Sequence, residues 1–270
     1  MIPRLAAVIG SPVAHSLSPA IHRAAFAAAE VDWSYVAFET SDAAGALAAM
    51  RSLGIAGLSV TMPLKDDVAR LVDRLDPAAR VLASVNTVSW QGDELVGSST
   101  DGAGFVASLA DSDVSVDGAR VAIIGAGGAA RSVIDALARH GAADITVLNR
   151  SAHRAEQAAA LAPVASPGII SDIVRADVVI NATSVGMGDD ESLPCDPDLL
   201  HDGQVVADLV YHPLETRWLA AARERGCRAV DGLGMLVHQA ALQQRIWLGD
   251  GAIVDTAAMR NAAEQALSSR

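Results

Sequence analysis

The sequence predicts an α/β fold: two α/β domains around a cleft. Three observations predict it. Short apolar runs alternate with helix-like patterns along the chain, as βα units do. One buried run passes through a glycine-rich turn directly into a helix. A polar turn, "DSDVSVDG" at 111–118, then separates two such sets of units.

In chain order, strands are predicted over Leu5–Ile9, Trp33–Phe38, Gly57–Thr61 and Val85–Trp90 in the first set. The second set has Val121–Ile124, Asp144–Leu148, Asp177–Asn181, Val205–Leu209 and Arg228–Val230. Helical patterns fill most of the gaps, which predicts parallel sheets. From "DGLGMLVHQAA" (231–241) onward the chain reads as helix and is expected to fold back on the first domain. The expected domains are therefore 1–103 plus 233–270, and 104–232.

The first set carries unusual polar residues. In "GSPVAHSLSPAIHRAAF", Ser18 followed by Pro19 predicts a helix start, with serine as N-cap and proline in the first turn. Ser16 is not needed for that, and two hydroxyls at a helix N-terminus suit a carboxylate. His15 and His22 match no metal spacing and read as structural or loop residues. In "LSVTMPLKDD" (58–67), Leu58 and Val60 suit a buried strand that Pro63 ends, because proline has no N–H for a ladder. Lys65 follows at once, as a cation at the start of a helix. "ASVNTVSW" sets Asn86 and Thr87 inside an apolar strand, where asparagine is depleted and needs partners when buried. "SSTDGAGF" puts Asp101 at a helix start, and its plain role is that of an N-cap.

The second set opens with "VAIIGAGGAARSVIDALARHG", which sets Gly125, Gly127 and Ala130 between a buried strand and a helix. This is G-x-G-x-x-A in the context that a dinucleotide site requires. The first glycine allows the tight turn, the second the approach of a pyrophosphate, and the alanine close helix packing. The next strand ends in "LNRSAHRA". NAD sites place Asp or Glu there for the ribose 2′-hydroxyl. Here Asn149 and Arg150 stand instead, with Arg154 four residues on. Arginines attract a 2′-phosphate that a carboxylate would repel, so the expected cofactor is NADP.

Composition narrows the rest. Half of the 270 residues are apolar, aromatics are 3%, and the net charge is −12. The core is aliphatic, and an acidic chain is not expected to bind nucleic acid. Two distant cysteines, Cys195 and Cys227, match no metal spacing, so no metal is expected and a reduced cytoplasmic protein is. No signal peptide is read at the N-terminus, and no run reaches the roughly 20 apolar residues of a membrane span.

Together, "GSPVAHSLSPAIH", "SVTMPLK", "ASVNTV", "STDGAGF", "GAGGAAR", "NRSAHRA", "NATSVGM", "DLVYHPLETRWL" and "DGLGMLVHQAA" resemble the shikimate dehydrogenase family over nearly the whole chain. The resemblance implies a substrate domain and a Rossmann-type NADP domain. It implies reversible NADPH-dependent reduction of 3-dehydroshikimate to shikimate, in aromatic amino-acid biosynthesis. Lys65 and Asp101 would form the catalytic pair. Ser16 and Ser18, with Tyr211, would take the substrate carboxylate, and Thr61, Asn86, Asp101 and Gln239 the ring hydroxyls. Gly125, Ala126, Gly127, Gly128, Ala129, Asn149, Arg150, Arg154, Thr183, Gly232 and Met235 would hold NADP. The chain departs from the family at Ser59 and Ser99, where asparagine is common. Quinate and aminoshikimate dehydrogenases share this framework and stay open as alternatives. A non-catalytic NADP-binding regulator is the rival from another class, and retention of both Lys65 and Asp101 speaks against it. The expected partner is a small-molecule substrate, with a homodimer left open and no membrane expected.

Overall fold

The first apolar run becomes β1 (Arg4–Gly10), and its alternation decides what covers it. Ala7 and Ile9 face one core cluster, Ala6 and Val8 another, so the strand is buried on both sides, as crossover helices demand. The computed structural model describes residues 4–249 and 251–269. Its chain divides into Met1–Thr100 with Val237–Arg270, and Asp101–Leu236. The sequence reading put these boundaries at 103/104 and 232/233.

In the first unit, β1 is followed by α1 (Ser18–Ala28), β2 (Trp33–Glu39), α2 (Ala43–Leu53), β3 (Gly57–Val60), α3 (Lys65–Leu71), β4 (Arg74–Leu75), α4 (Pro77–Leu82), β5 (Thr87–Gln91) and β6 (Glu94–Ser98). The sheet order is β2-β1-β3-β5-β6-β4. The parallel expectation holds for β1 with β2 and β3 and for β4 with β6, and fails at β5. β5 runs antiparallel to both β3 and β6, and Gly92, at φ +62, makes the turn that sends the chain straight back from β5 into β6. β4 and β6 were not read from the sequence. β4 is only two residues long, and β6 is five with Gly97 inside it, too short and irregular for a periodic signal.

In the second unit come α5 (Asp101–Asp111), β7 (Arg120–Ile124), α6 (Gly128–Arg139), β8 (Asp144–Leu148), α7 (Ala152–Ala159), β9 (Ala165–Pro167), β10 (Val178–Asn181), β11 (Val205–Asp208), α8 (Arg217–Glu224) and β12 (Arg228–Val230). The sheet is fully parallel, in the order β12-β11-β10-β7-β8-β9. Order reverses at β7, where the chain goes first to β8 and later to β10. Ligands of such sheets bind at this switch point, beyond the carboxyl ends of the strands. Val121 and Ile123 enter one core cluster and Ala122 and Ile124 the opposite one. The unread β9 is a three-residue edge strand closed by Pro167, a position where proline is tolerated.

α9 (Gly232–Leu248) follows β12, and α10 (Thr256–Ser268) packs on α1 in the first unit. Trp247 of α9 donates its indole N–H to Val88 O at 3.1 Å. Gly57 makes room for that ring, since a Cβ there would lie 2.5 Å from it.

Candidate active site

In the first unit, the end of β1, the start of α1 and the end of β3 carry several of the expected residues. α1 corrects one expectation. Its first residue is Ser18 itself, and the N-cap is Leu17, which has no capping side chain. The hydroxyl that serves the helix start belongs to Ser16, whose Oγ accepts the Ser18 N–H at 3.2 Å. A serine in helical φ/ψ cannot turn its oxygen back to the N–H groups of its own first turn, so the helix start has no side-chain cap and the nearest hydroxyl bond comes from outside the helix. Ser18 is buried and Ser16 half-buried.

Thr61 lies just past β3 rather than within it, and its N–H still bonds Ile9 O at 2.9 Å. The segment then turns through a cis Met62–Pro63 bond, and Leu64 N–H closes on Thr61 O at 3.0 Å. Lys65 is the first residue of α3. Its carbonyl accepts the Val85 N–H at 3.0 Å, which ties the backbone at the lysine to the approach to β5, and its side chain is half-buried.

Asn86 stands immediately before β5, not inside a strand. Its Oδ1 accepts from Thr100 N–H (2.9 Å) and Thr87 Oγ1 (2.7 Å), and its Nδ2 donates to Thr100 Oγ1 (2.9 Å) and Gln239 Oε1 (3.4 Å). Thr100 Oγ1 donates in turn to Gln239 O at 3.1 Å. The structure thus brings Asn86 and Gln239 together, and the buried amide that looked anomalous in an apolar run is amply satisfied. Ser59 takes a different place from a site surface. It is buried, accepts from Tyr35 Oη at 2.6 Å and donates to Gln243 Oε1 at 2.6 Å. His22 is a core histidine, as read.

In the second unit, Gly125 ends β7 at φ +116, and its N–H bonds Leu148 O at 2.8 Å. A Cβ there would lie 2.8 Å from Ala182 O and 3.1 Å from Thr183 Cγ2, so only glycine fits the turn and Thr183 stands against it. Gly127 is the N-cap of α6 and supplies no side-chain cap. Cβ atoms built at Gly127 and Gly128 meet nothing within 4 Å. No neighbouring atom fills the space where side chains would stand at these two positions, and the N-terminus of α6, whose first N–H groups lack intrahelical partners, is the kind of end a pyrophosphate uses. Ala126 is half-buried against the core, and Ala130 is fully buried on the inner face of α6.

At the end of β8, Asn149 Nδ2 donates to Ser151 O at 3.0 Å, and Ser151 caps α7. Arg150 and Arg154 are exposed, and among the described residues neither guanidinium forms an ion pair. Two unneutralised arginines beyond the second strand suit a phosphate. Met235, half-buried, packs on the same core as Ala126. Gly232, the first residue of α9, is pressed against Leu209 and Val210, with a built Cβ 2.6 Å from their carbonyl oxygens. Tyr211 is half-buried after β11, and Asp101 is the half-buried first residue of α5. Lys65 and Asp101 belong to different units.

Sequence reasoning missed a brace behind this turn. Asn181 and Asp208, paired in register at the ends of β10 and β11, bond through Nδ2 and Oδ1 at 2.9 Å. Asn181 Oδ1 accepts from Thr183 N–H (3.1 Å) and Oγ1 (2.6 Å), while Asp208 Oδ2 accepts from Thr216 Oγ1 at 2.8 Å. Burial pushes the Asp208 carboxyl up, against the pull of Val210 N–H and its side-chain donors. The available signal was a polar residue closing each of two apolar strands. It was not used, because nothing local pairs them.

Comparison with known proteins now adds to this geometry. Three family models match in order: "Shikimate dehydrogenase substrate binding domain" over residues 8–88, "Shikimate / quinate 5-dehydrogenase" over 108–186, and "Shikimate 5'-dehydrogenase C-terminal domain" over 232–264. A shikimate dehydrogenase (NADP(+)) of Moorella thermoacetica is 44% identical, the match covering 91% of this chain and 88% of the relative. One of Symbiobacterium thermophilum is also 44% identical, over 98% and 95%. The crystal structure of Thermus thermophilus shikimate 5-dehydrogenase in complex with NADP(H) and shikimate superposes with a TM-score of 0.91 at 35% identity, covering 98% of this chain and all of that one (100%).

Proposed function

The chain belongs to the shikimate dehydrogenase family, and from that premise we propose that it catalyses the reversible NADPH-dependent reduction of 3-dehydroshikimate to shikimate in the shikimate pathway. The observation that carries the reading is the turn at Gly125–Gly128, with φ +116 at Gly125 and unfilled space where side chains would stand at Gly127 and Gly128, followed by two exposed arginines that no described carboxylate neutralises. The residues fit the cofactor: Gly125 to Ala129, with Thr183, Gly232 and Met235, would hold its pyrophosphate and nicotinamide portions, and Asn149, Arg150 and Arg154 its 2′-phosphate. NADPH, when bound, supplies the hydride.

The chain's own residues do the rest. Carbonyl reduction leaves negative charge on oxygen, so a positioned cation stabilises it and a positioned acid protonates it. Lys65 Nζ takes both roles, and in the oxidative direction it receives the hydroxyl proton. Asp101 orients the lysine and accepts from a ring hydroxyl. Ser16 and Ser18, with Tyr211, take the substrate carboxylate, and Thr61, Asn86 and Gln239 take the ring hydroxyls. The first unit is thus the substrate domain and the second the NADP domain. Support for these assignments is the match of each residue to a family motif, together with the half-buried setting of Lys65 at the start of α3.

Steady-state assays of shikimate, quinate and aminoshikimate with NADP⁺ and with NAD⁺ test this. Shikimate with NADP⁺ should give the highest kcat/KM. A higher value for quinate would make the chain a quinate dehydrogenase on the same scaffold, a reading kept in view because one matching model describes both activities. A reduced, cytoplasmic setting completes the proposal; it is supported by the two free, buried cysteines and checked by cell fractionation, while the homodimer stays an open alternative that light scattering decides. No helix among the described residues is long and apolar enough to cross a membrane.

A further inference from the structure

We propose that Gln243 is a positioning residue for substrate binding, acting by holding Asn86. This rests on the reading that Asn86 contacts the substrate. Gln243 is 2% exposed on α9, in the core of the first unit. Its Nε2 donates to Asn86 O at 3.1 Å. One helical turn earlier, Gln239 Oε1 accepts from Asn86 Nδ2 at 3.4 Å. Residues four apart share a helix face, so α9 grips Asn86 twice, at its carbonyl and at its side chain. Asn86 O also accepts Val60 N–H at 2.7 Å, the bond that ties it to the end of β3.

Hydrogen-bond bookkeeping makes the arrangement directional. Asn86 O is a backbone carbonyl and can only accept, so Gln243 must present its NH₂ there. Its oxygen then faces Ser59 Oγ at 2.6 Å and His22 Nε2 at 3.2 Å, and both must donate. Ser59 has one proton and gives it to Gln243, so it accepts from Tyr35 Oη at 2.6 Å. With Nε2 protonated, His22 accepts at Nδ1 from Gln244 Nε2 at 3.2 Å, and the same NH₂ reaches His22 O at 3.1 Å. One carbonyl thus orders protons across α1, β2, β3 and α9. Gln243 is bonded at both ends of its amide, which fixes the NH₂ against Asn86 O; Gln244 stands two bonds away, behind His22. Ser59 belongs to this lock, which gives the serine at that position a role that does not require substrate contact.

The test compares variants by shikimate KM, kcat and NADP⁺ KM. Gln243→Met keeps the side-chain length and loses the amide. It should raise shikimate KM by roughly three- to tenfold, the effect of one lost hydrogen bond, with kcat and NADP⁺ KM unchanged. Ser59→Ala frees Gln243 Oε1 on one side and should raise shikimate KM by roughly two- to threefold. Gln244→Met is equally buried in the same helix but bonds His22 and not Asn86. It should cost stability and leave shikimate KM alone. A folded Gln243→Met enzyme with normal shikimate KM overturns the proposal, as does a Gln244→Met enzyme with the same rise in KM. Should Gln243→Met not fold, Ser59→Ala decides in the same two directions. Asn86→Ala separates the two readings. Unchanged KM there removes Asn86 from the substrate and the proposal with it. Raised KM there, with normal KM in Gln243→Met, sinks Gln243 alone.

Discussion

His22 and Tyr35 lie face to face in the core of the first unit, ring centroids 4.2 Å apart and planes 10° from parallel. Neither ring can afford a charge. Burial pushes the His22 imidazolium down to about 3, against the small lift from Gln243, and pushes the Tyr35 phenol up. The folded protein holds His22 neutral, with its Nδ1 facing a donor.

A pH dependence of stability follows. Unfolded histidine titrates near 6.5, so between about 6.5 and 3 the unfolded chain takes up a proton that the folded one refuses. This contribution is complete above 6.5 and is lost as pH falls, by about 1.4 kcal/mol per pH unit. Asp208 acts oppositely, since its raised carboxyl lets the folded form protonate first. Urea unfolding from pH 7 to 5 isolates His22 if wild type is compared with His22→Gln, in which Asp208 is unchanged. The slope should be shallower in the variant by about one proton. Equal slopes would mean that His22 titrates normally in the fold.

Cofactor choice should depend on Arg150. Arg150→Ala is expected to raise KM for NADP⁺ and barely change KM for NAD⁺, because the guanidinium is exposed and forms no ion pair with a described residue. Steady-state kinetics with both cofactors measure it. Equal losses would mean that Arg150 does not read the 2′-phosphate.

The two glycines of the turn should fail in different ways. Gly125→Ala places a Cβ 2.8 Å from Ala182 O at φ +116, so the second unit should lose roughly 1–3 kcal/mol or more. Gly127→Ala meets nothing within 4 Å and has φ −80, so the fold should hold while NADP⁺ affinity falls. Thermal unfolding and calorimetric titration of NADP⁺ separate the two. A stable Gly125→Ala, or normal affinity in Gly127→Ala, contradicts this account of the turn.

Lys65→Ala should lower kcat and kcat/KM together by about 10²–10⁴-fold, with shikimate Kd nearly intact, as for an acid needed mainly in the transition state. Asp101→Ala should raise KM as well as lower kcat. The double variant should be little worse than Lys65→Ala, because groups acting as one unit are not additive. A near-normal kcat with lost affinity would make Lys65 a binding residue. Fully additive losses would assign the two residues independent roles.

Much of this was legible along the chain because the signals are local. The turn at Gly125 is one. A tight βα turn needs φ > 0, close approach to the next strand and a small residue where the helix packs, and all three lie within six positions. Apart from the edge strand β9, the strands of the second unit are legible within a residue or two, since doubly covered parallel strands are continuous apolar runs. The family followed from motifs that keep their order. Pro63 also made the start of α3 at Lys65 legible, since a proline ends one element just before a new one begins.

The tertiary structure decided what depends on distant partners. The antiparallel course of β5 against β3 is set by how the sheet assembles, and its hairpin partner β6 is too short and glycine-broken to show a period. Ser18 does not cap α1: Leu17 stands at the N-cap and the Ser18 N–H is taken by Ser16 Oγ, because backbone dihedrals, not residue type, decide which hydroxyl can reach an N–H. Asn86 appeared as an anomaly in a strand and stands instead at a strand's entrance, satisfied by Thr100 and by glutamines about 150 positions away. Asn181 and Asp208 close two strands far apart in sequence and meet only because those strands are neighbours in the sheet. Local sequence specifies dihedrals and periodicity, which act over a few residues. Hydrogen-bond satisfaction in a core is settled between whichever elements the sheet order makes adjacent.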